Sequence, residues 1–258
     1  MAAKFYVIWA GHQTGIFTDW PSCKRNVDKF PGARYKSFKT RAEAEAAFAD
    51  QATVSRHTGD DSNNKTSKRK HKKGLKTYSA AEIAECDAEY LLFTDGGCDP
   101  NPGKAGSGLA VYYKQELQEL WFGLFNPQGT NNTAELNALH QAIIKAADLI
   151  AQNNTVAIFC DSQYAIQCVD TWAVNWQKNN WKKAGGEIKN LAIIQPMFTL
   201  YQRVKDRLTL HHVNGHVGVE GNELADRMSM LAIKQREKCF TQYSDTHDIA
   251  KILAMQAG

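Results

Sequence analysis

Cysteine is sparse in this sequence of 258 residues: Cys23, Cys86, Cys98, Cys160, Cys168 and Cys239 are scattered, and no two form a CxxC pair. That scatter excludes the clustered ligand spacing of a structural zinc site and the dense framework of a small disulfide-stapled domain. A reducing compartment fits it best. No apolar run approaches the ~18 residues of a membrane span. The opening MAAKFYVIWAGHQ has no basic region, long apolar core or small-residue cleavage site, so a cytoplasmic protein without a membrane segment is expected. An apolar content of 43% and a charged content of 22% match an ordinary globular chain, long enough for one large domain or two smaller ones. A net charge of +4 is too slight to define a partner, and the placement of the charges tells more.

The composition changes over residues 51–88, where HTGDDSNNKTSKRKHKKGLK is almost free of large apolar residues and cannot bury enough surface to fold alone. Within them, KTSKRKHKKGLK carries Lys65, Lys68, Arg69, Lys70, Lys72, Lys73 and Lys76 with no acid. The segment reads as a flexible basic linker, either merely solvated or also touching a polyanion through its phosphates. Before it, residues 1–50 hold KFYVIW, TGIFTDW and RYKSFK, three aromatic or β-branched runs separated by turns. TRAEAEAAFAD then offers Thr40 as an N-cap with Glu43 three residues on, a capping-box pattern. A small α+β domain is expected there.

After the linker, residues 89–237 alternate strand and helix patterns. EYLLFTDGG, GSGLAVYYKQ and LQELWFGLF read as an antiparallel meander. NTAELNALHQAIIKAADLIAQ has helical spacing, and TVAIFC is apolar throughout, as a strand buried on both faces would be. DSQYAIQCVDTWAVNWQK and IIQPMFTLYQRVKDR read as helices, LTLHHV as a fifth strand, and GNELADRMSMLAIKQRE as a last helix. The fold class is therefore α/β, a mixed five-stranded sheet with flanking helices. Residues 238–258 form a C-terminal tail with some helical character and no evident role.

Four acids stand where chemistry could use them. Asp95 ends the first strand of this domain and Asp161 ends TVAIFC; Glu135 lies in the first turn of the helix after TNN, and Asp226 on the last helix, with Glu223 at i−3. Each has a plain structural explanation: Asp95 starting an Asp-Gly turn, Asp161-Ser162 an N-cap, Asn132 with Glu135 a reciprocal cap, Asp226 an exposed helix acid. If the first and fourth strands are neighbours, however, Asp95 and Asp161 emerge side by side. Clustered carboxylates repel one another and persist when a cation neutralises them. An all-oxygen set suits Mg²⁺ or Mn²⁺, and two such ions can clamp the attacking and leaving oxygens of a phosphoryl displacement. His216, between two glycines, can carry protons near neutral pH.

These residues carry a resemblance. FTDGGCDPNPG, TNNTAELNAL, IFCDSQYAI and GHVGVEGNELADRMS, in that order, make residues 89–235 similar to the cellular type 1 ribonuclease H family, which cuts the RNA strand of RNA–DNA hybrids. FYVIWAGHQTGIFTDWPSC, FPGARYKSF and EAEAAF make the head resemble that family's hybrid-binding domain. The resemblance implies a ribonuclease H-like fold, with Asp95, Glu135, Asp161 and Asp226 as catalytic acids binding two Mg²⁺ ions, for which Mn²⁺ may substitute. It implies His216 as a mobile catalytic histidine, Glu223 as an acid that aids metal exchange, and Asn101, Asn131, Asn132 and Gln163 as contacts to the hybrid's minor groove, where amides can read the 2′-OH. TWAVNWQKNNWKKAGGEIK resembles a basic protrusion, with Trp181, Lys182 and Lys183 as its grip and Trp172 and Trp176 as core. In the head, Trp20 and Tyr6 match aromatics that lie against DNA sugars, with buried packing the rival reading for Tyr6; Lys36 matches a phosphate contact.

The sequence departs from the family pattern at Gly97 and Pro100, in the loop presenting Asn101, and at Ser37, where some members have a second lysine. The implied activity is a monomeric, Mg²⁺-dependent endonuclease of RNA–DNA hybrids leaving 5′-phosphate and 3′-hydroxyl ends. The rivals are a catalytically silent hybrid- or double-stranded-RNA-binding protein, and a DNA-cutting transposase or integrase of the same superfamily.

Overall fold

The computed structural model describes residues 4–28, 30, 33–38, 40–41, 43–45, 47–48, 75–183, 185–215, 218–246 and 248–258. The chain divides into two units, Met1–Lys70 and His71–Gly258.

In the first unit β1 (Phe5–Ala10) is the centre of a three-stranded antiparallel sheet, between β2 (Gly15–Phe17) and β3 (Arg34–Phe38). The run TGIFTDW does not stay extended to its end: Trp20 opens helix α1 (Trp20–Val27). Asp19 caps that helix by accepting the Ser22 N–H at 2.8 Å, and Pro21 fits the first turn because it has no N–H to lose. The Thr40–Glu43 box forms as its spacing dictates, with N–H to side-chain distances of 3.2 and 3.3 Å in the two directions. Val7, Ile8, Cys23 and Ala44 make the small core.

The second unit contains the expected five strands in the order β7 (Glu116–Gly129), β6 (Gly103–Tyr113), β5 (Tyr90–Asp99), β8 (Val156–Cys160) and β9 (Leu208–Val213). The meander β5–β6–β7 is antiparallel, while β8 and β9 add parallel to β5. Two short strands the sequence pattern does not reveal extend the sheet to seven: β4 (Thr77–Tyr78) lies parallel to β9, and β10 (Thr241–Tyr243) antiparallel to β7.

Strand β4 and helix α2 (Ala80–Ala84) correct the expected linker, because residues 75–88 belong to the folded body. Ile83 is buried there, Ser79 and Glu82 form a capping box, and Lys76 bonds Glu82 at 2.9 Å while lying over the Tyr78 ring. Composition hid this because only a few anchors, not a run, face the core. The other linker lysines and Arg69 lie outside the described residues.

A second correction concerns Asp95. Strand β5 does not end there: its hairpin with β6 continues to Asp99 opposite Lys104. What ends is the parallel pairing with β8, whose last pair is Thr94–Cys160. Asp95 is thus mid-strand on one edge and unladdered on the other.

Both faces of the sheet are covered. Leu92, Leu109 and Ile158 pack on one side against α3 (Asn131–Ala151) and α6 (Leu191–Val204). Leu91, Phe93, Ala157 and Phe159 face α7 (Glu220–Gln235) and the short α8 (Ile249–Leu253) on the other. Burying each of the leucine, isoleucine and phenylalanine side chains contributes about 1.5–3 kcal/mol. The single helix read over 161–178 is instead α4 (Gln163–Gln167), a π-helical turn over Cys168–Trp172, and α5 (Ala173–Lys178). The wider turn accommodates the burial of Cys168 and Val169.

Close backbone approach sets the geometry of the site. A Cβ on Gly96 would lie 2.2 Å from the Glu135 nitrogen, so only glycine lets α3 reach β5 there. Substituting Gly96→Ala is expected to destabilise the body by about 1–3 kcal/mol, read by urea unfolding; a midpoint equal to wild type would contradict this packing.

Candidate active site

The parallel, in-register pairing of β5 with β8 stops at Thr94–Cys160, so the next residues, Asp95 and Asp161, stand side by side. Gly96 admits the start of α3, which brings Glu135 to the same place. Helix α7 crosses β5 and β6 closely enough that a Cβ on Gly108 would stand 2.0 Å from the Ala225 carbonyl, and it delivers Asp226. All four acids line one cavity of about 440 Å³, together with Asn131 and residues 256–258.

The plain structural explanations for these acids fail one by one. Helix α3 is capped by Thr130 in a box with Thr133, not by Asn132 with Glu135. Helix α4 is capped by Ser162, not by Asp161. Asp226 is only 2% exposed.

Electrostatics show what the acids need. Burial pushes the Asp95 carboxyl well above its ordinary range, and the charges of Asp161 and Asp226 push it further, against the pull of the Gly96 N–H at 2.7 Å. Burial, then Asp95 and Asp161, do the same to Glu135, opposed by Asn131 Nδ2 at 3.3 Å from Oε1. Glu135 Oε2 is buried with no hydrogen-bond partner. An orphaned carboxylate oxygen inside an acid cluster is what a hard cation with oxygen ligands would satisfy. Cys160 brings its sulfur within 4.8 Å of ligand atoms of Glu135 and Asp161, but burial holds its thiol neutral, and a neutral thiol is a poor ligand for such an ion.

Other expected residues fall in different places. Exposed Asn101 accepts the Asn131 N–H at 3.2 Å, so the hairpin tip and the start of α3 form one polar rim, Pro100 notwithstanding. Asn132 and Gln163 are exposed on the first turns of α3 and α4. Glu223 lies outside the cavity lining, tied to Arg227 at 3.3 Å. His216 lies outside the described residues; nearby, Gly215 approaches Asp161 so closely that a Cβ would stand 2.8 Å from Oδ2.

Trp172 and Trp176 pack on the core as expected, but so does Trp181, edge-on to Phe198 at 5.9 Å. It is half-buried and supports the protrusion; the exposed groups beside it are Lys182 and Lys183. In the head, Tyr6 is half-buried against Trp20 at 5.5 Å, and Trp20 stands 42% exposed. Lys36 is exposed on β3.

Sequence reasoning missed several neighbours. Tyr35, 46% exposed, extends the aromatic face of the head at 5.8 Å from Trp20; its place just before Lys36 was the available signal. Asn222 donates to Asp161 Oδ2 at 3.4 Å, and its i−4 spacing from Asp226 could have revealed it. Arg227 bonds Asp226, Glu223 and the Leu253 carbonyl. His212 contacts the Asp161 carbonyl, and Gly258 donates to the Asp226 carboxylate; neither has a local sequence signal.

Comparison with known proteins agrees with this geometry. Residues 87–234 match the RNase H family model, and residues 4–48 match that of the ribonuclease H1 N-terminal domain. The chain is 31% identical to Ribonuclease H1 of Mus musculus and of Homo sapiens, covering 90% of both chains in each case. It belongs to the ribonuclease H1 family. A bacterial relative, Ribonuclease H of Pseudomonas putida, is 37% identical over 145 residues, 56% of this chain and 93% of its own. Among solved structures, LC9-RNase H1, a type 1 RNase H with the type 2 active-site motif, aligns with a TM-score of 0.50 over 65% of this chain and 81% of that one. Its identity is 21%, so it shows the fold alone.

Because the folded state raises the pKa of Asp95 and Glu135, their stabilising contribution is fully present below the ordinary carboxylate range and is lost as pH rises through the raised values. Cation-free protein should therefore lose stability on going upward from about pH 4, and Glu135→Gln should flatten that loss. Thermal melts across pH in EDTA would check this; identical profiles for both proteins would contradict it.

Proposed function

We propose that this ribonuclease H1 family member is an endonuclease hydrolysing the RNA strand of RNA–DNA hybrids with two Mg²⁺ ions, which Mn²⁺ can replace, and leaving 5′-phosphate and 3′-hydroxyl ends. The observation that carries the reading is the four-carboxylate cavity with its orphaned Glu135 oxygen. Asp95 and Asp161 would hold the ions centrally, with Glu135 and Asp226 at the flanks. Bound cations would offset the charge of the scissile phosphodiester and lower the pKa of an attacking water. The chain's own residues do the rest. Asn101 and Asn131 form a rim of amides beside the cavity, suited to a 2′-OH that both donates and accepts. Asn132 and Gln163 extend it. His216 would carry a proton at the leaving side. Lys182 and Lys183, held out by the packed Trp181, would meet phosphates of the DNA strand.

The head would bind hybrid through the Tyr6–Trp20–Tyr35 face and Lys36, raising local substrate concentration through the linker. No described helix is long and apolar enough to cross a membrane; the scattered cysteines fit a reducing compartment, and the enzyme is read as cytoplasmic and monomeric.

The test is a hybrid labelled on each strand in turn, with Mg²⁺ or EDTA, beside Asp161→Asn. RNA should be cut, DNA left intact, and the variant slowed on the order of a thousandfold, the equivalent of several kcal/mol. Hybrid bound but uncut by folded wild type would favour the silent binding protein instead. Trp20→Ala should raise KM roughly tenfold, a loss of one stacking contact, with kcat unchanged; an equal fall in kcat would contradict a purely binding head.

A further inference from the structure

We propose that Thr77 and His212 are positioning residues that hold Asp161 in place for the reaction; the inference rests on the nuclease reading above. His212, 5% exposed on β9, has both ring nitrogens engaged. Its Nε2 lies 3.1 Å from the backbone carbonyl oxygen of Asp161, and its Nδ1 lies 2.8 Å from Thr77 Oγ1. A carbonyl only accepts, so Nε2 carries a proton; in the neutral imidazole Nδ1 then offers a lone pair, to which the Thr77 hydroxyl donates. The result is a directed chain, Thr77 O–H to His212 to the Asp161 carbonyl. Asp161 needs it because the β5–β8 ladder stops one residue earlier, at Thr94–Cys160. Asn222 donates to its carboxylate at 3.4 Å, and His212 fixes the backbone that carries it. Thr77 reaches His212 because β4 pairs with β9 in register at that residue, so the first strand after the basic linker becomes part of the site's support. Outer partners of ligating groups commonly change affinity or activity 10–100-fold when removed.

Thr77→Val keeps the shape and removes the donor, whereas Thr77→Ser keeps the donor. The valine variant should lower kcat at saturating hybrid roughly tenfold and weaken Mg²⁺ binding by the hybrid-free protein, followed calorimetrically, by a similar factor. KM for hybrid should stay near wild type, and serine should restore both values. Folded Thr77→Val with wild-type kcat and Mg²⁺ affinity overturns the proposal. A second measurement needs no variant: ¹⁵N NMR of the wild-type imidazoles should find the His212 proton on Nε2, and a proton on Nδ1 overturns it. Failure of the nuclease reading would look different, as wild type that binds Mg²⁺ but cuts no hybrid.

A separate observation concerns the tail. The geometry points to residues 254–258 as a strap that competes with cations for Asp226. The Gly258 N–H lies 3.0 and 3.3 Å from the two Asp226 oxygens, and Gln256, Ala257 and Gly258 line the cavity beside the other three acids. The strap is anchored by buried Ile252 and by Arg227, whose Nε donates to the Leu253 carbonyl at 3.2 Å while its guanidinium also bonds Asp226. These donors supply the positive edge that a cation would otherwise provide, and the same oxygens cannot serve both. Coupling between two such occupants is reciprocal. Deleting residues 254–258 from the full chain should therefore tighten Mg²⁺ binding fivefold or more, and saturating Mg²⁺ should speed hydrogen exchange in wild-type peptides covering 254–258. Unchanged or weaker Mg²⁺ affinity in the folded truncation, or exchange indifferent to Mg²⁺, overturns the strap while leaving hybrid cleavage by wild type to stand.

Discussion

Four carboxylates held in one small, mostly buried cavity are the constraint around which the body is arranged. Like charges at this range disfavour one another's ionised forms, so nothing local would gather them; the surrounding packing must. In-register parallel strands deliver two of them, and a helix admitted by Gly96 the third. A second helix, pressed onto β6 at Gly108, delivers the fourth. The stabilisation that offsets the repulsion lies elsewhere, in the apolar layers on both faces of the sheet. Such a cluster of like charges is an electrostatically unfavourable corner of a well-packed fold.

The periphery of the body turns inward to that corner from both ends of the domain. The strand that follows the linker reaches Asp161 through Thr77 and His212. The tail reaches Asp226 through Gly258 and Arg227. Segments read from the sequence as linker and tail thus reach two of the four acids, the first through His212 and the second directly. The head is built differently, with an aromatic face of Tyr6, Trp20 and Tyr35 on a small sheet.

Much of this was legible in the sequence because strong periodicity and local chemistry fix it. The apolar run TVAIFC had to be a doubly buried strand, and the long helical repeat after TNN had to start near Glu135. The ordered acid motifs tied them to one site. What could not be read came from contacts without a local signal. Strand β4 is two residues long and exists through pairing with β9 and the burial of Ile83. Asp95 looked strand-terminal because Gly-Gly follows it, yet glycines in a hairpin can keep the ladder going while making room for Glu135. Trp181 looked exposed among lysines and instead packs on Phe198. Tertiary packing overrode composition at each of these places.

The central claim, that these four acids form one cation site, is tested most directly by an anomalous difference map from crystals grown with hybrid and Mn²⁺. The account predicts peaks enclosed by Asp95, Glu135, Asp161 and Asp226, with Gly258 moved off Asp226. A map with no peak among those four carboxylates, or with Mn²⁺ held elsewhere while the strap stays on Asp226, would contradict it.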